Sequence, residues 1–450
     1  MPRRPRTPNS ALARVMRSGP IGNAQLARRV NAVGREFGVP LSYDKTTVSH
    51  WLAGSVPRPE ARRVIAEALS RLLGRPMGCA QIGWPGTDGD QPGERDAAAG
   101  VIDLSRADMD PTRRGVVKTG MYAAAVTVPA FADVASAAER PAPAAAGRTV
   151  RIGTGDVETV RTMTTHIAGI LDQVGAGHAR PMAAAFITNT VGPYLRASGT
   201  ERTRRRMKSA AAGLVYLTGW MAMYEGAQGL GQQYYLRALE LAGAADDHIT
   251  YCRTLRGMSL QATHLGHGAK GLELADAAAE AAPVSGPRLV AFLRGQQAAA
   301  AAMTGDGHTA RARLRETESA LSRADDRRDA VGGYDRAAFH FHEGQVRWHL
   351  GERAESIASL RRANAARSPL EREGRLHCLG VIAERQIRMR HVEAACGTWE
   401  MFLDEYMSIS SARGDEHLST LLRALPAYRP VPGVRDLEDR ARHVASLKSP

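Results

Sequence analysis

The densest grouping of side chains that could bind a partner by charge lies at the start of the chain. Up to Ile82 there are fourteen Lys and Arg, among them Arg14, Arg17, Arg28, Arg29, Lys45 and Arg58, against the four acids Glu36, Asp44, Glu60 and Glu67. That surplus of ten accounts for most of the net +14 of the 450-residue chain. A field so concentrated favours a polyanion and makes affinity fall with salt. A membrane surface is the other anionic option, but this segment interleaves its charges with apolar residues of a packed unit and lacks the single lipid-facing stripe of an interfacial helix.

Catalytic chemistry finds little footing elsewhere. Gly115-Val116-Val117-Lys118-Thr119-Gly120 echoes a phosphate loop in composition but not in spacing, and His342-Glu343-Gly344-Gln345-Val346 places Val346 where a second zinc-binding histidine would stand. His340, His342 and His349 cannot share one helical face, and His264 with His267 is a lone i, i+3 pair, so surface or hydrogen-bonded histidines are expected. Cys79, Cys252, Cys378 and Cys396 are scattered with no CxxC, which fits buried or inert thiols in a reducing cytoplasm. The cluster Arg202, Arg204, Arg205, Arg206, Lys208 reads as a solvated helix face, with a second phosphate contact or an acidic partner as the alternatives. No enzyme activity, metal or cofactor is expected.

The elements that would position the basic groups can be read from pattern. Gln25-Leu26-Ala27-Arg28-Arg29-Val30 opens an amphipathic helix. Asp44 to Leu52 forms a second, closed by Gly54 and Pro57-Arg58-Pro59, and Glu60 to Leu73 a third, with Val64, Ile65, Ala68, Leu69, Leu72 and Leu73 on one face. Helix, turn, helix, stop is a groove-binding arrangement.

Beyond this unit, Gly83 to Gly100 and Ala137 to Arg148 read as linkers. Met1 to Thr7 runs straight into the helical unit and does not read as a secretory signal. The internal Arg113-Arg114 followed by a mildly apolar run to Ala135 reads as a linker helix docking on the body, because Lys118, Thr119, Gly120, Thr127 and Pro129 interrupt the run and it is too short and polar to span a bilayer.

The remainder has helical periodicity and repeats. Small-x3-large-x2-small triplets recur at Gly231, Tyr235, Ala238; Gly271, Ala275, Ala278; Ala310, Leu314, Thr317; Ser356, Leu360, Ala363; and Ala394, Thr398, Met401. Gly219, Ser259, Ala298 and Gly344 stand twelve residues before the first four, whereas Ile382 takes that place before the fifth. Glu225-Gly226, Leu265-Gly266, Gly305-Asp306 and Leu350-Gly351 supply turns between. Each copy is expected to be a helical hairpin with small residues where its helices approach most closely, and a hairpin that cannot bury its apolar face alone must stack into a solenoid.

The hairpins resemble tetratricopeptide repeats. The N-terminal unit resembles the Cro/phage-repressor (XRE) helix-turn-helix family, through Gln25-Leu26-Ala27 and Thr47-Val48-Ser49-His50-Trp51-Leu52-Ala53-Gly54. The layout, including Asp172 to Pro181, is similar to actinomycete regulators of development or secondary metabolism that join these parts. The resemblance implies an all-α chain: residues 1–82 a helix-turn-helix domain, 83–150 a linker with a short docking helix, 151–430 a tetratricopeptide-like α-solenoid, and 431–450 a C-terminal helix and tail. Its base-reading positions fall on Lys45, Thr46 and His50, with Thr47 and Ser49 as neighbouring candidates. Lys45 can donate to guanine O6 or N7, and Thr46 offers a hydroxyl or a methyl. Val48 and Trp51 should face the core. Asn23 and Gln25 would hold a phosphate at a helix N-terminus, and Arg58 would contact the backbone. The link from Gly34 to Tyr43 exceeds the family's tight turn, so the recognition helix is expected to sit at its own angle.

In tetratricopeptide folds the first helix of each pair lines a concave groove. The matching positions here are Tyr216, Trp220, Arg253, Arg256, Phe341 and Gln345, a set suited to a peptide or an acidic small molecule, although aromatics at this spacing also build cores. The expectation is a cytoplasmic, nucleoid-associated transcriptional regulator that binds double-stranded DNA as a homodimer, with a body that senses a ligand or mediates dimerisation. The alternative is an interaction scaffold that recruits a protein partner and binds DNA only weakly.

Overall fold

Capping residues set the helix boundaries of the N-terminal unit in the computed structural model, which describes residues 7–36, 39, 41–84, 97–110, 122–126, 128, 131, 151–283, 286–324 and 334–448. Asn9 accepts from the Leu12 N–H at 3.0 Å and starts α1 (Ser10–Ser18). α2 (Asn23–Glu36) and α3 (Lys45–Leu52) follow, the latter capped by Asp44, which takes both the N–H and the hydroxyl of Thr47. α4 (Pro59–Leu73) carries Pro in its first turn and ends at Gly74, whose φ of 64° only glycine adopts without strain. The sequence pattern missed α1, a nine-residue helix whose apolar face, Leu12, Val15 and Met16, is buried. Leu26, Val30, Val48, Trp51, Val64, Ile65 and Leu69 complete this small core, with Trp51 edge-on to Tyr43 and Trp84.

The linker contains a helix further upstream than its composition suggests: α5 (Ala97–Met109) begins inside the stretch read as Gly/Pro-rich turn. Most of the docking segment expected from Arg113 to Ala135 lies outside the described residues. Where it is described it does dock. Gln232 bonds the N–H and carbonyl of Ala123 at 2.9 Å each, Tyr122 stacks on His267, and Phe131 stacks on His248.

From residue 151 onward the described chain is helical. α6 (Thr154–Val174) pairs with α7 (Ala176–Phe186), which continues through a π turn (Ile187–Val191) into α8 (Gly192–Arg196). Stacked hairpins follow: α9 (Glu201–Tyr224) with α10 (Gln228–Ala244), α11 (His248–His264) with α12 (Gly268–Glu280), α13 (Pro287–Met303) with α14 (Gly307–Ser322), α15 (Arg336–His349) with α16 (Arg353–Ala366), and α17 (Arg372–Arg388) with α18 (Val392–Tyr406). α19 (Ala412–Ala424) and α20 (Val434–Lys448) close the end of the stack. The only β-type pairing among the described residues is an isolated bridge between Arg151 and Ser198. The chain is an all-α, solenoid-like stack of hairpins behind a helical N-terminal unit. No helix among the described residues is long and apolar enough to cross a membrane.

Small residues sit where the paired helices touch. A Cβ on Gly219 would lie 2.9 Å from Tyr235, one on Gly344 would lie 2.8 Å from Leu360, and the hydroxyls of Ser259 and Ser356 donate across the α11–α12 and α15–α16 crossings to the carbonyls of Gly271 and Gly344. The fifth copy departs from the expected frame by one residue. Ala394 is exposed and Met401 is 52% exposed, while Ala395, Trp399 and Phe402 are buried with Ala383 twelve residues before Ala395. The turn there is made by Arg390 at φ 62°, not by the glycine of the other copies, which removed the marker that would have fixed the frame.

The stack curls until its two ends meet. α17 packs against α6, and the Ser410 N–H donates to the Val174 carbonyl at 3.0 Å. This closure depends on glycine: Gly175 has φ 95°, and a Cβ there would stand 2.1 Å from the Ser410 carbonyl oxygen, while one on Gly177 would stand 2.4 Å from the Ser410 hydroxyl. Nearby, Arg180 bonds Glu225 through two contacts of 2.9 and 3.0 Å and also reaches Asp108 of α5, whose other oxygen accepts from Tyr234 at 3.0 Å. The Asp172 to Pro181 stretch therefore clasps the ring shut and ties the linker to it.

Candidate nucleic-acid interface and interior cavity

α3 divides into two faces. Val48 and Trp51 are buried at 0% and 3% exposure, which fixes the rotation of the helix and leaves Lys45, Thr46, Ser49 and His50 exposed on the other side. Thr47 is half-buried with its hydroxyl engaged by Asp44 at 2.7 Å, so it serves the helix start. Ser49 accepts from the Asn23 side chain at 3.0 Å and donates to the Lys45 carbonyl, joining the beginning of α2 to α3. Gln25 is exposed, and its side-chain oxygen accepts weakly from the Gly22 N–H at 3.4 Å. Arg58, exposed, stands at the N-cap of α4 just past α3.

The long link between α2 and α3 is held by Asn31. Its side chain accepts from the Tyr43 N–H and donates to the Tyr43 carbonyl, both at 2.8 Å, and so sets where α3 begins. Glycine is required at position 34, because a Cβ would fall 2.7 Å from the Val39 carbonyl oxygen.

The second candidate site is the interior of the ring, a cavity of about 1020 Å³. The first helices of the hairpins line it, as the repeat pattern implies, and five of the six expected residues are there: Tyr216, Trp220, Arg256, Phe341 and Gln345. Arg253 is not. It lies one turn before the α11 stripe Arg256, Leu260, Thr263, His264 that faces the cavity, and the cavity wall ends at Arg256.

One end of the cavity is aromatic and cationic. Arg256, 6% exposed, lies over the Phe292 ring at 4.4 Å and is 5.7 Å from that of Trp220. One of its terminal nitrogens is 3.3 Å from His342 Nε2, and His342 Nδ1 is 2.8 Å from the Tyr334 hydroxyl. A guanidinium can only donate, so Nε2 accepts, His342 is the neutral Nδ1–H tautomer, and Nδ1–H donates to the Tyr334 oxygen. Burial, reinforced by the Arg256 charge, lowers the His342 imidazole to about 3. Gly295 makes room for this group, since a Cβ there would stand 2.4 Å from the Tyr334 hydroxyl. His342 was expected to be a surface or satisfied histidine, and it is the satisfied kind.

The opposite wall holds the closure and is rich in acids and histidines. Asp172 is exposed into the cavity, and desolvation by the surrounding walls raises its carboxyl to about 6, with Glu371 adding and Arg367 opposing. Glu373, buried, accepts from Ser411 at 2.9 Å and is raised by burial. His377 and His417 are 3.0 Å apart, and His417 reaches Glu384 at 2.7 Å. Arg385 donates to the Gly344 carbonyl, Ser356 and Gln345, so Gln345 is partly committed to the wall. Sequence reasoning did not find this wall, because its members converge only when the ring closes.

The exposed cluster near Arg202 is a solvated face: Arg205 pairs with Asp246 and Arg206 with Glu158.

The architecture is that of an all-α helical-repeat chain with a small helical N-terminal unit. Over residues 12–85 the chain is similar to the SP15 N-terminal domain family. No curated protein matches the chain.

Proposed function

We propose that the chain is a sequence-specific DNA-binding transcriptional regulator, related to the XRE helix-turn-helix type, whose tetratricopeptide-like body senses a ligand in the ring cavity and mediates dimerisation. The observation that carries this reading is α3 itself. Its apolar side is locked into the core by Val48 and Trp51, and its outer side presents Lys45, Thr46, Ser49 and His50 from the part of the chain with the largest surplus of positive charge. A helix so mounted can enter a major groove with its donors toward base edges, while Arg58, Gln25 and Asn23 flank it for phosphate contacts.

A single small unit reads few base pairs, so dimers on near-palindromic sites with half-sites about 34 Å apart are expected. Binding selection from random duplexes, followed by anisotropy titration against salt, tests the reading. A selected motif whose affinity falls steeply with salt supports it. Enrichment of no motif favours a scaffold with nonspecific DNA affinity.

A further inference from the structure

The aromatic end of the cavity contains a buried charge with no counter-ion. Arg256 is 94% removed from solvent, and among the described residues no carboxylate pairs with it. Its neighbours are two aromatic faces and an imidazole that is neutral for the reason given above. The Arg256 Nε–H has no acceptor at all. An uncompensated buried cation costs several kcal/mol, a cost a fold retains only where something else offsets it.

The same end offers a second donor. Tyr334, 1% exposed and lining the cavity, accepts from His342 through its oxygen, so its own O–H is free to donate, and burial keeps the phenol protonated by raising it above its ordinary value. Beside them Gln296, fully buried and also in the lining, spends its amide N–H on Ser259 at 3.0 Å while its carbonyl oxygen has no partner. Two unmatched donors, one of them charged, thus belong to residues that line the cavity together with the rings of Trp220, Phe292 and Phe341.

We infer that this end of the cavity binds a carboxylate attached to an aromatic or bulky apolar group, with Arg256 and Tyr334 holding the carboxylate and the rings of Trp220 and Phe292 covering the apolar part. Gln296 would accept an N–H or O–H next to that carboxylate. A free aromatic acid and the C-terminus of an apolar peptide share this chemistry. The inference deepens the sensing role proposed above and rests on it.

The test uses the full chain without DNA. Calorimetry with phenylbutyrate and its neutral amide, and with acetyl-leucyl-phenylalanine and its C-terminal amide, separates the two sources, because the better-seated one binds tighter. At least one acid should bind about tenfold or more tightly than its amide, the factor expected for charge-assisted bonds. Arg256→Met should remove that preference while keeping or raising the melting temperature, since it deletes an unpaired buried charge. Tyr334→Phe, which removes the phenol donor and with it the acceptor of the His342 Nδ1–H, should weaken the acid several-fold and serves if Arg256→Met fails to fold. Equal binding of acid and amide, undiminished acid binding by the variants, or no binding of either acid to the wild type overturns the inference. Because DNA is absent, these failures leave the DNA-binding reading standing, whereas a wild-type chain that binds the acid but no specific duplex refutes only the regulator.

Discussion

Glu67 of α4 and His267 of the turn between α11 and α12 meet at 2.6 Å, both almost wholly buried, and join the N-terminal unit to the ring across 200 residues of sequence. Arg71 pairs with the same Glu67 oxygen at 2.9 Å, and Tyr122 stacks on the imidazole. Replacing His267 by Ala should cost about 1–3 kcal/mol in urea unfolding, the range for a buried polar group left without its partner. Glu67→Ala/His267→Ala together should cost less than the two singles added. Strict additivity would show that the pair does not couple the two parts.

Closure of the ring predicts an unusually sensitive glycine. Gly175→Ala meets both a φ of 95° and a carbonyl oxygen 2.1 Å from the new Cβ, and the backbone strain alone costs about 1–3 kcal/mol. Hydrogen exchange should quicken in α6 and α17 while α13 and α14, across the ring, stay protected. Uniform loss of protection would mean that the clasp is part of one global core.

The buried histidine gives a pH dependence with a definite sign. His342 in the folded chain lies near 3, below its ordinary 6.5. The unfolded chain therefore takes up a proton at that position first, so the associated stability is intact above pH 6.5 and is lost as pH falls from there toward 3, by up to about 1.4 kcal/mol per pH unit. His342→Gln, which cannot titrate, should flatten the fall in urea midpoint across that window. An unchanged slope would show that His342 does not dominate it.

Much of this fold was legible in the sequence, for reasons visible in single residues. Gly219 with Gly231, Ser259 with Gly271 and Gly344 with Ser356 mark helix crossings because no larger side chain fits there, and Gly226, Gly266, Gly305 and Gly351 mark turns that need positive φ. Where Arg390 replaced the turn glycine, the frame slipped by one residue. Arg256 and Trp220 were found because repeat phase predicts which helix face is concave. Neither the clasp between Gly175 and Ser410 nor the bond between Glu67 and His267 could be read, since both depend on curvature accumulated over many hairpins. α5 escaped because the turn-forming composition just before it extended the apparent linker.

The exposed row on α3 predicts two kinds of loss. Lys45→Ala and His50→Ala should each cost roughly 1–3 kcal/mol on a selected duplex and little on a scrambled one, whereas Arg58→Ala should weaken both and lower the salt slope by about one. Anisotropy titration of each variant on both duplexes separates the classes. Identical losses on both duplexes for Lys45→Ala would take that residue out of base recognition.

Whether α3 directs this chain to particular sequences is decided by a genome-wide footprint of the tagged protein beside its Lys45→Ala/His50→Ala variant. The wild type should occupy a narrow set of sites sharing one near-palindromic motif, and the variant should lose that motif. A diffuse footprint in the wild type, or a motif that survives both substitutions, would contradict that role of α3.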